Sequence, residues 1–300
     1  MPELPEVHAL VTDLGARLVG HSIARFDVLS FAALKTVDPP LSELAGATIV
    51  GIARHGKFLD IVTGDPARRE LHVVIHLARA GWIRWREGAP PAAPRLGKGP
   101  LAARLVLVDS GSDGSASPGS RLDITEAGTK KSLSIWLVTD PALVPGIARL
   151  GPDPLDDDFT GPVFADILRA AGRSQVKGVL RDQSIIAGIG NAYSDEILHA
   201  AKMSPFAPAA MTPERASRLF DALQSTLRGA IERADGLAAS ELKREKREGL
   251  RVHGRTGQPC PVCGDTVREV IFADSTLQYC PTCQTGGRRL ADRVLSRLLK

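Results

Sequence analysis

The sequence has little cysteine, no long apolar run, no internal repeat and no strong excess of one charge, and each absence narrows what the chain is. Only four cysteines occur among 300 residues, which excludes the disulfide-dense scaffold of small secreted domains. No stretch approaches the roughly 20 apolar residues that a membrane span needs. No charged and then apolar leader segment opens the chain, so an oxidising compartment is not indicated. Without repeats, a solenoid or propeller is not expected. What is present is an ordinary globular composition. The apolar fraction is 43%, enough for a sizeable core, and the length suits about two domains.

The four cysteines form one motif: Cys260 and Cys263 with two residues between them, then Cys280 and Cys283 with the same spacing. Two tight turns, each presenting two thiolates, suit a tetrahedral structural zinc. A pair of disulfides is the alternative, and the leaderless start argues against it. With four thiolates the zinc shell is closed, so the ion stiffens a hairpin and has no open position for chemistry. Charge gathers around this motif. The formal net charge is +4, yet residues 241–300 hold twelve Lys/Arg against seven Asp/Glu. A basic end beside a zinc hairpin favours a polyanion, most simply nucleic acid. A solvated charged face fits the same residues.

The chain opens with Val7, Leu10, Val11, Leu14 and Leu18 at helical spacing, stopped by Gly20. Short strands are predicted at 48–52, 58–62, 73–77, 82–85, 104–108, 122–125 and 133–138, as in a β-sandwich or barrel. Residues 88–100 read as a linker, and 110–120, almost all Ser, Gly, Asp, Ala and Pro, as a mobile hairpin loop. Helices are predicted at 163–171, 176–182, 192–202 and 213–234. The last has Thr212 as N-cap, Pro213 at its first position, and a stripe of Leu219, Leu223, Leu227 and Ile231. The fold class expected is α+β: a β-sandwich with a flanking helix at 1–140, a linker at 141–160, a helical domain at 161–250, a zinc hairpin at 251–285 and a basic tail at 286–300. A cleft is expected between the two main domains.

Three segments carry candidate chemistry. The first reads Met1-Pro2-Glu3-Leu4-Pro5-Glu6-Val7. If Met1 is removed, Pro2 presents a secondary amine, a nucleophile that forms iminium ions with carbon electrophiles. Glu3 and Glu6 would flank it as carboxyl groups for proton transfer. The same residues also suit a plain helix start, with Pro2 leading and the carboxylates complementing the helix dipole. The second is Gly188-Ile189-Gly190-Asn191, which leads into a helix. Glycines let a backbone approach a bulky partner, and the free N–H groups of a helix start bind phosphate. A capped helix after a glycine turn fits too. The third is the basic turn Arg54-His55-Gly56-Lys57 between two strands, otherwise a solvated hairpin tip.

Taken in order, the opening heptad, the Lys57 turn, the Asn191 helix, Val252-His253-Gly254-Arg255 and the zinc motif resemble the formamidopyrimidine-DNA glycosylase and endonuclease VIII family of DNA repair enzymes. The resemblance covers essentially residues 1–285. It implies a β-sandwich, a helix–two-turn–helix module and a zinc finger. It also implies double-stranded DNA with damaged bases or abasic sites as partner, a monomer, and a cytoplasmic, nucleoid-associated setting. The implied enzyme is an N-glycosylase with abasic-site lyase activity that flips the damaged nucleotide out of the stack. Pro2 would be the nucleophile and Glu3 the proton-transfer group. Lys57 would sit on the neighbouring phosphate, and Glu6 would support the site. Asn191, Lys177 and Arg255 would contact DNA, and one structural zinc would be held by Cys260, Cys263, Cys280 and Cys283.

The sequence departs from that family in places. Arg79 stands where relatives carry the Met that fills the gap left by the flipped base, and Lys131-Ser132-Leu133 aligns with their Arg-x-Phe pair. Ser275 occupies the position of the phosphate-gripping Arg of the zinc hairpin, and a hydroxyl cannot supply a bidentate, permanently charged fork; Arg288 and Arg289 are the nearest substitutes in sequence. Residues 237–250 are short and charged where many relatives carry a Gly-rich loop. These changes keep open a second reading, a catalytically weak protein that binds damaged DNA. A zinc hydrolase or deaminase is poorly supported, because four cysteines close the metal shell and no His-x-Glu motif accompanies them.

Overall fold

The computed structural model describes residues 1–65, 68–88, 99–110, 116–271 and 276–290. The chain forms two compact units. One comprises Met1–Arg149 with Ala234–Leu242, and the other Leu150–Arg233 with the residues from Lys243 onward.

The first unit opens with helix α1 (Leu4–Leu18), followed by strands β1 (Ile23–Val28), β2 (Thr48–His55), β3 (Phe58–Asp65), β4 (Arg68–His76), β5 (Gly81–Arg86), β6 (Leu101–Ser110), β7 (Ala116–Glu126) and β8 (Ser134–Val138). They form two four-stranded sheets, ordered β1-β6-β7-β5 and β2-β3-β4-β8, and every neighbouring pair is antiparallel. Period-two alternation explains why the sheets stack. Leu59, Ile61, Val73, Ile75, Ile135 and Leu137 point inward and are at most 1% exposed. They share one apolar cluster with Ile23, Leu105, Leu107, Leu122 and Ile124 of the other sheet. Leu10, Leu14 and Leu18 of α1 close the same core. Each such side chain contributes about 1.5–3 kcal/mol through burial. Residues 234–242 are fastened to this unit by two hydrogen bonds: the Trp82 indole N–H donates to the Ala239 carbonyl at 2.9 Å, and the Ala239 N–H to Asp13 at 3.2 Å.

The sequence did not announce β1. It also called residues 110–120 a mobile loop, and the structure corrects this: Ala116, Ser117 and Pro118 pair with Ser110, Asp109 and Val108 as part of β7. Backbone ladders tolerate Ser and Gly, and Pro118 sits beside a register shift between Val106 and Val108, where a missing N–H is affordable. Residues 111–115 and most of the 88–100 linker lie outside the described residues.

The second unit contains α2 (Gly161–Ala171), α3 (Val176–Arg181), α4 (Asn191–Ala200), α5 (Pro213–Ala234), α6 (Leu242–Gly249), the hairpin β9 (Arg268–Ile271) and β10 (Thr276–Tyr279), and a short α7 (Pro281–Thr285). Leu219, Leu223 and Leu227 of α5 are fully buried, as the helical stripe requires. The charged 237–250 connection contains the helix α6. Among the described residues, no helix is long and apolar enough to cross a membrane.

Candidate active site and nucleic-acid interface

The opening heptad folds into the start of α1, with Glu3 as an extended N-cap. The Glu3 N–H donates to the Glu6 carboxylate at 2.8 Å, so the N3 side chain covers the cap N–H as in a capping box. Pro2 is buried, and Glu3 and Glu6 are 2% and 3% exposed. Pro2 thus directly precedes two carboxyl groups withdrawn from solvent. Glu6 holds the backbone N–H of Glu3, and the Glu3 carboxylate accepts the Glu6 N–H in return, so both carboxyl groups belong to the cap that follows Pro2.

Helix α1 packs on β2 and β3, and Lys57 occupies the turn between those strands. Gly56 there has φ +55°, the left-handed conformation that glycine adopts at least cost. Lys57 is buried. Phe58 pairs with His76 across the sheet, and their rings lie 4.7 Å apart. Burial, with the Lys57 charge adding to it, holds the His76 pKa down to about 4, so His76 is neutral at pH 7. Nothing in the sequence gives His76 a role, since only the β3–β4 register puts it near Lys57. The same sheet carries a second polar cluster. His55 and His72 both meet the buried Asp60 carboxylate, at 3.1 and 2.9 Å.

The strand end after His76 is a tight turn. Ala78 has φ +50°, and the Gly81 N–H donates to the Leu77 carbonyl at 2.8 Å. A Cβ on Gly81 would lie 2.1 Å from that oxygen, so the turn requires glycine. It presents Arg79 exposed. Of the other expected gap-filling residues, Lys131 is exposed but tied to the backbone, and Leu133 is buried. Leu133 is 2% exposed within the sandwich core. The Lys131 ammonium donates to the Glu126 carbonyl. The Glu126 carboxylate in turn accepts the Ser132 and Leu133 N–H groups at 2.7 and 2.9 Å.

In the second unit, α4 is the mount for the zinc hairpin. The Asn191 amide donates to the Thr276 carbonyl of β10 at 2.7 Å. Asp195, 1% exposed, meets the Lys177 ammonium at 2.6 Å, the His253 ring at 2.8 Å and the Gln278 N–H at 3.2 Å. Lys177, expected among the DNA contacts, is 5% exposed, and its ammonium also donates to the Ser194 hydroxyl at 2.8 Å and the Asn191 carbonyl at 3.2 Å. Its charge braces the first turn of α4 from within. Glu196 accepts the backbone N–H groups of Arg251, Val252 and His253 at 2.8–2.9 Å. Burial raises its pKa, against those three donors. The imidazole of His199 lies 3.3 Å from the Cys260 sulphur, and burial, with Arg251 adding to it, holds its pKa down to about 4. Sequence reasoning singled out none of Asp195, Glu196 and His199. Asp195 and His199 follow Asn191 by four and eight residues, on one helix face, but only contact shows what that face holds. Arg255 is half-buried in the turn after Val252. Ser275 lies outside the described residues.

The four cysteines converge as the spacing predicted. Their sulphurs all lie within 4.8 Å of one another, and none is in a disulfide. A tetrahedral zinc with Zn–S of about 2.3 Å has sulphur–sulphur edges of about 3.8 Å. Cys260–Cys283 at 3.9 Å and Cys263–Cys280 at 3.3 Å bracket that value. Burial pushes the Cys280 thiol up to about 11 and raises Cys283 as well, so a divalent cation is the natural source of the charge that lets both ionise. The donor set, spacing and closure fit one structural zinc.

A two-sheet unit that opens with a capped helix, followed along the chain by a helical unit with a zinc hairpin, is the architecture of a class of DNA glycosylases. Residues 1–111 match the formamidopyrimidine-DNA glycosylase N-terminal domain, 150–241 the formamidopyrimidine-DNA glycosylase H2TH domain, and 257–286 the zinc finger found in FPG and IleRS. The formamidopyrimidine-DNA glycosylase of Symbiobacterium thermophilum is 33% identical over 95% of this chain and 89% of its own. An uncharacterised formamidopyrimidine-DNA glycosylase-like protein of Mycobacterium tuberculosis is 59% identical over 155 residues, half of this chain and 94% of its own. The Lactococcus lactis Fpg, solved in complex with abasic-site DNA, superposes with a TM-score of 0.77 at 27% identity, covering 94% of this chain and 99% of that one. The chain belongs to the formamidopyrimidine-DNA glycosylase family.

Proposed function

We propose that the protein is a bifunctional DNA glycosylase and abasic-site lyase that excises damaged, oxidised bases from duplex DNA through the amine of Pro2. The observation that carries this reading is the buried Pro2 directly before a helix cap whose two carboxyl groups, Glu3 and Glu6, are withdrawn from solvent. With Met1 removed, the Pro2 nitrogen attacks C1′ of the flipped nucleotide. The glycosidic C–N bond breaks, and the base leaves with its electron pair and takes up a proton. Glu3 passes a proton to the ring oxygen as the sugar opens, which gives an iminium. Loss of the C2′ proton then expels the 3′-phosphate and nicks the strand. Lys57 holds the phosphate next to the lesion. The N-terminus of α4 at Asn191, Arg255 and the zinc hairpin clamp the backbone, and Arg79 enters the gap left by the flipped base. Ser275, in place of the family's arginine, slows the second elimination, so 3′-unsaturated ends exceed 3′-phosphate ends.

Borohydride trapping on an abasic-site duplex tests this reading. The expected result is a covalent adduct on the N-terminal peptide, abolished when a residue is appended before Pro2 while DNA binding persists. Active protein that fully retains Met1 would sink the iminium route. The second reading, damage binding with weak catalysis, is favoured by Lys131 being tied to Glu126 and Leu133 being buried. It predicts tight abasic-site binding with no adduct.

A further inference from the structure

We propose that His199 is a positioning residue for the zinc centre, its Nε2–H donating a hydrogen bond to the Cys260 thiolate. The zinc motif itself calls for four cysteines and nothing else, and no feature of that motif names a histidine some sixty residues upstream. The geometry does. His199 sits on α4, is 2% exposed, and its Nε2 lies 3.3 Å from the Cys260 sulphur. A metal-bound thiolate has no proton to give, so in that contact the nitrogen is the donor. The other ring nitrogen, Nδ1, is buried and has no hydrogen-bond partner among the described residues. A proton there would be an unsatisfied buried donor, whereas a bare lone pair costs less. The pattern is therefore that of a neutral imidazole with its single proton aimed at sulphur.

Such a bond draws electron density off the thiolate, making it a poorer base and nucleophile, and it fixes the sulphur in place. Both effects oppose loss of the metal to protons, alkylating agents or chelators. The inference concerns this chain's hold on zinc and stands whether or not the catalytic reading holds. It also shows how the metal is tied to the rest of the unit. His199 follows Asn191 by eight residues, about 12 Å along one rigid helix. The same helix bonds the hairpin through Asn191 to the Thr276 carbonyl and through Asp195 to the Gln278 N–H, and bonds the segment before it through Glu196 to the Val252 N–H.

Zinc release from the full-length protein to a chromogenic chelator, in the presence of a mercurial thiol reagent, tests the proposal, together with the sulphur-to-metal charge-transfer band of the cobalt-substituted protein. His199→Phe is expected to release zinc about tenfold faster and to move the cobalt band to lower energy, because an unbonded thiolate is easier to oxidise. His199→Gln, whose amide N–H can reach the same sulphur, is expected to restore the band and most of the slow release. Three outcomes would overturn the proposal. One is an unchanged band and release rate in His199→Phe. Another is fast release in both variants with the band unmoved, which marks packing alone. The third is a His199→Gln protein that folds but behaves as His199→Phe does. If His199→Phe does not fold, the His199→Gln band alone decides.

Discussion

The two units bury charge in different ways. The first scatters it over strands and turns, at Glu3, Glu6, Lys57, Asp60, Arg104 and Glu126, around a main apolar cluster drawn from both sheets and α1. Its candidate catalytic groups sit at the rim of that cluster, at a helix start and on a hairpin turn. The second unit concentrates it along one helix, α4, where Asp195, Glu196 and His199, with Lys177 of α3 against them, are at most 5% exposed. A hydrocarbon core is tolerant. Any residue of suitable size and period satisfies it. A buried polar face is exacting, because each group needs a partner at hydrogen-bond distance and a missing one leaves a desolvated charge. The difference suits the parts held. The sandwich needs only to be rigid under the Pro2 site, whereas α4 must hold a small zinc hairpin, with little core of its own, in one register.

The sharpest way to break this comparison is at the metal. Cys280→Ser, or removal of zinc by chelation, is expected to unfold the hairpin locally and abolish specific DNA binding, since metal and folding are coupled in so small an element. The sandwich should keep its β circular dichroism. Metal analysis finding no zinc in folded, DNA-binding protein would contradict it.

The next test sets one unit against the other. Lys177→Met leaves Asp195 as a buried carboxylate without its cation, expected to cost about 3–5 kcal/mol. Ile124→Ala in the sandwich should cost about 2–5 kcal/mol through a cavity. The distinguishing readout is a second change. Asp195→Asn should recover part of the Lys177→Met loss, because no unpaired buried charge then remains, while the same change should recover none of the Ile124→Ala loss. Equal responses of the two variants would remove the distinction.

A smaller effect belongs to His76. Its pKa is held down to about 4, below the usual value near 6.5. The unfolded chain therefore binds a proton first, and the contribution to stability is present above about pH 6.5 and lost as pH falls toward 4. At most about 3 kcal/mol is at stake. His76→Gln should flatten that acid limb in denaturant titrations; an unchanged limb would mean that His76 is not the group responsible.

The smallest effect expected is at the tail. Arg288 and Arg289 are exposed, and the next residue is anchored, since the Leu290 N–H donates to the Tyr279 hydroxyl at 2.7 Å. If they make the phosphate contacts that Ser275 cannot, changing both to Ala should reduce the salt slope of DNA binding by up to about two phosphate equivalents. An unaltered slope would place the missing charge elsewhere.

The sequence by itself determined the periodic elements and the motifs that local chemistry dictates. Pro213–Ala234 was legible because Pro213 and a leucine stripe mark it, and β3, β4 and β8 because their inward residues alternate. The zinc ligands were legible because two turns of fixed spacing admit few other readings. Pro2 and Glu3 stood out because a Met-Pro-Glu start places a nitrogen and a carboxyl side by side without any fold. Tertiary structure alone decided the rest. Whether a charge is free or spent depends on what lies across from it, so Lys177 read as a DNA contact and proved a buried brace. Leu133 read as part of the gap-filling set and proved core. His76 gained its neighbour Lys57 only through the β3–β4 register, and His199 met Cys260 only through the docking of α4 on the hairpin. Period and spacing report what a residue prefers; which partner it finds is set by contacts distant in sequence.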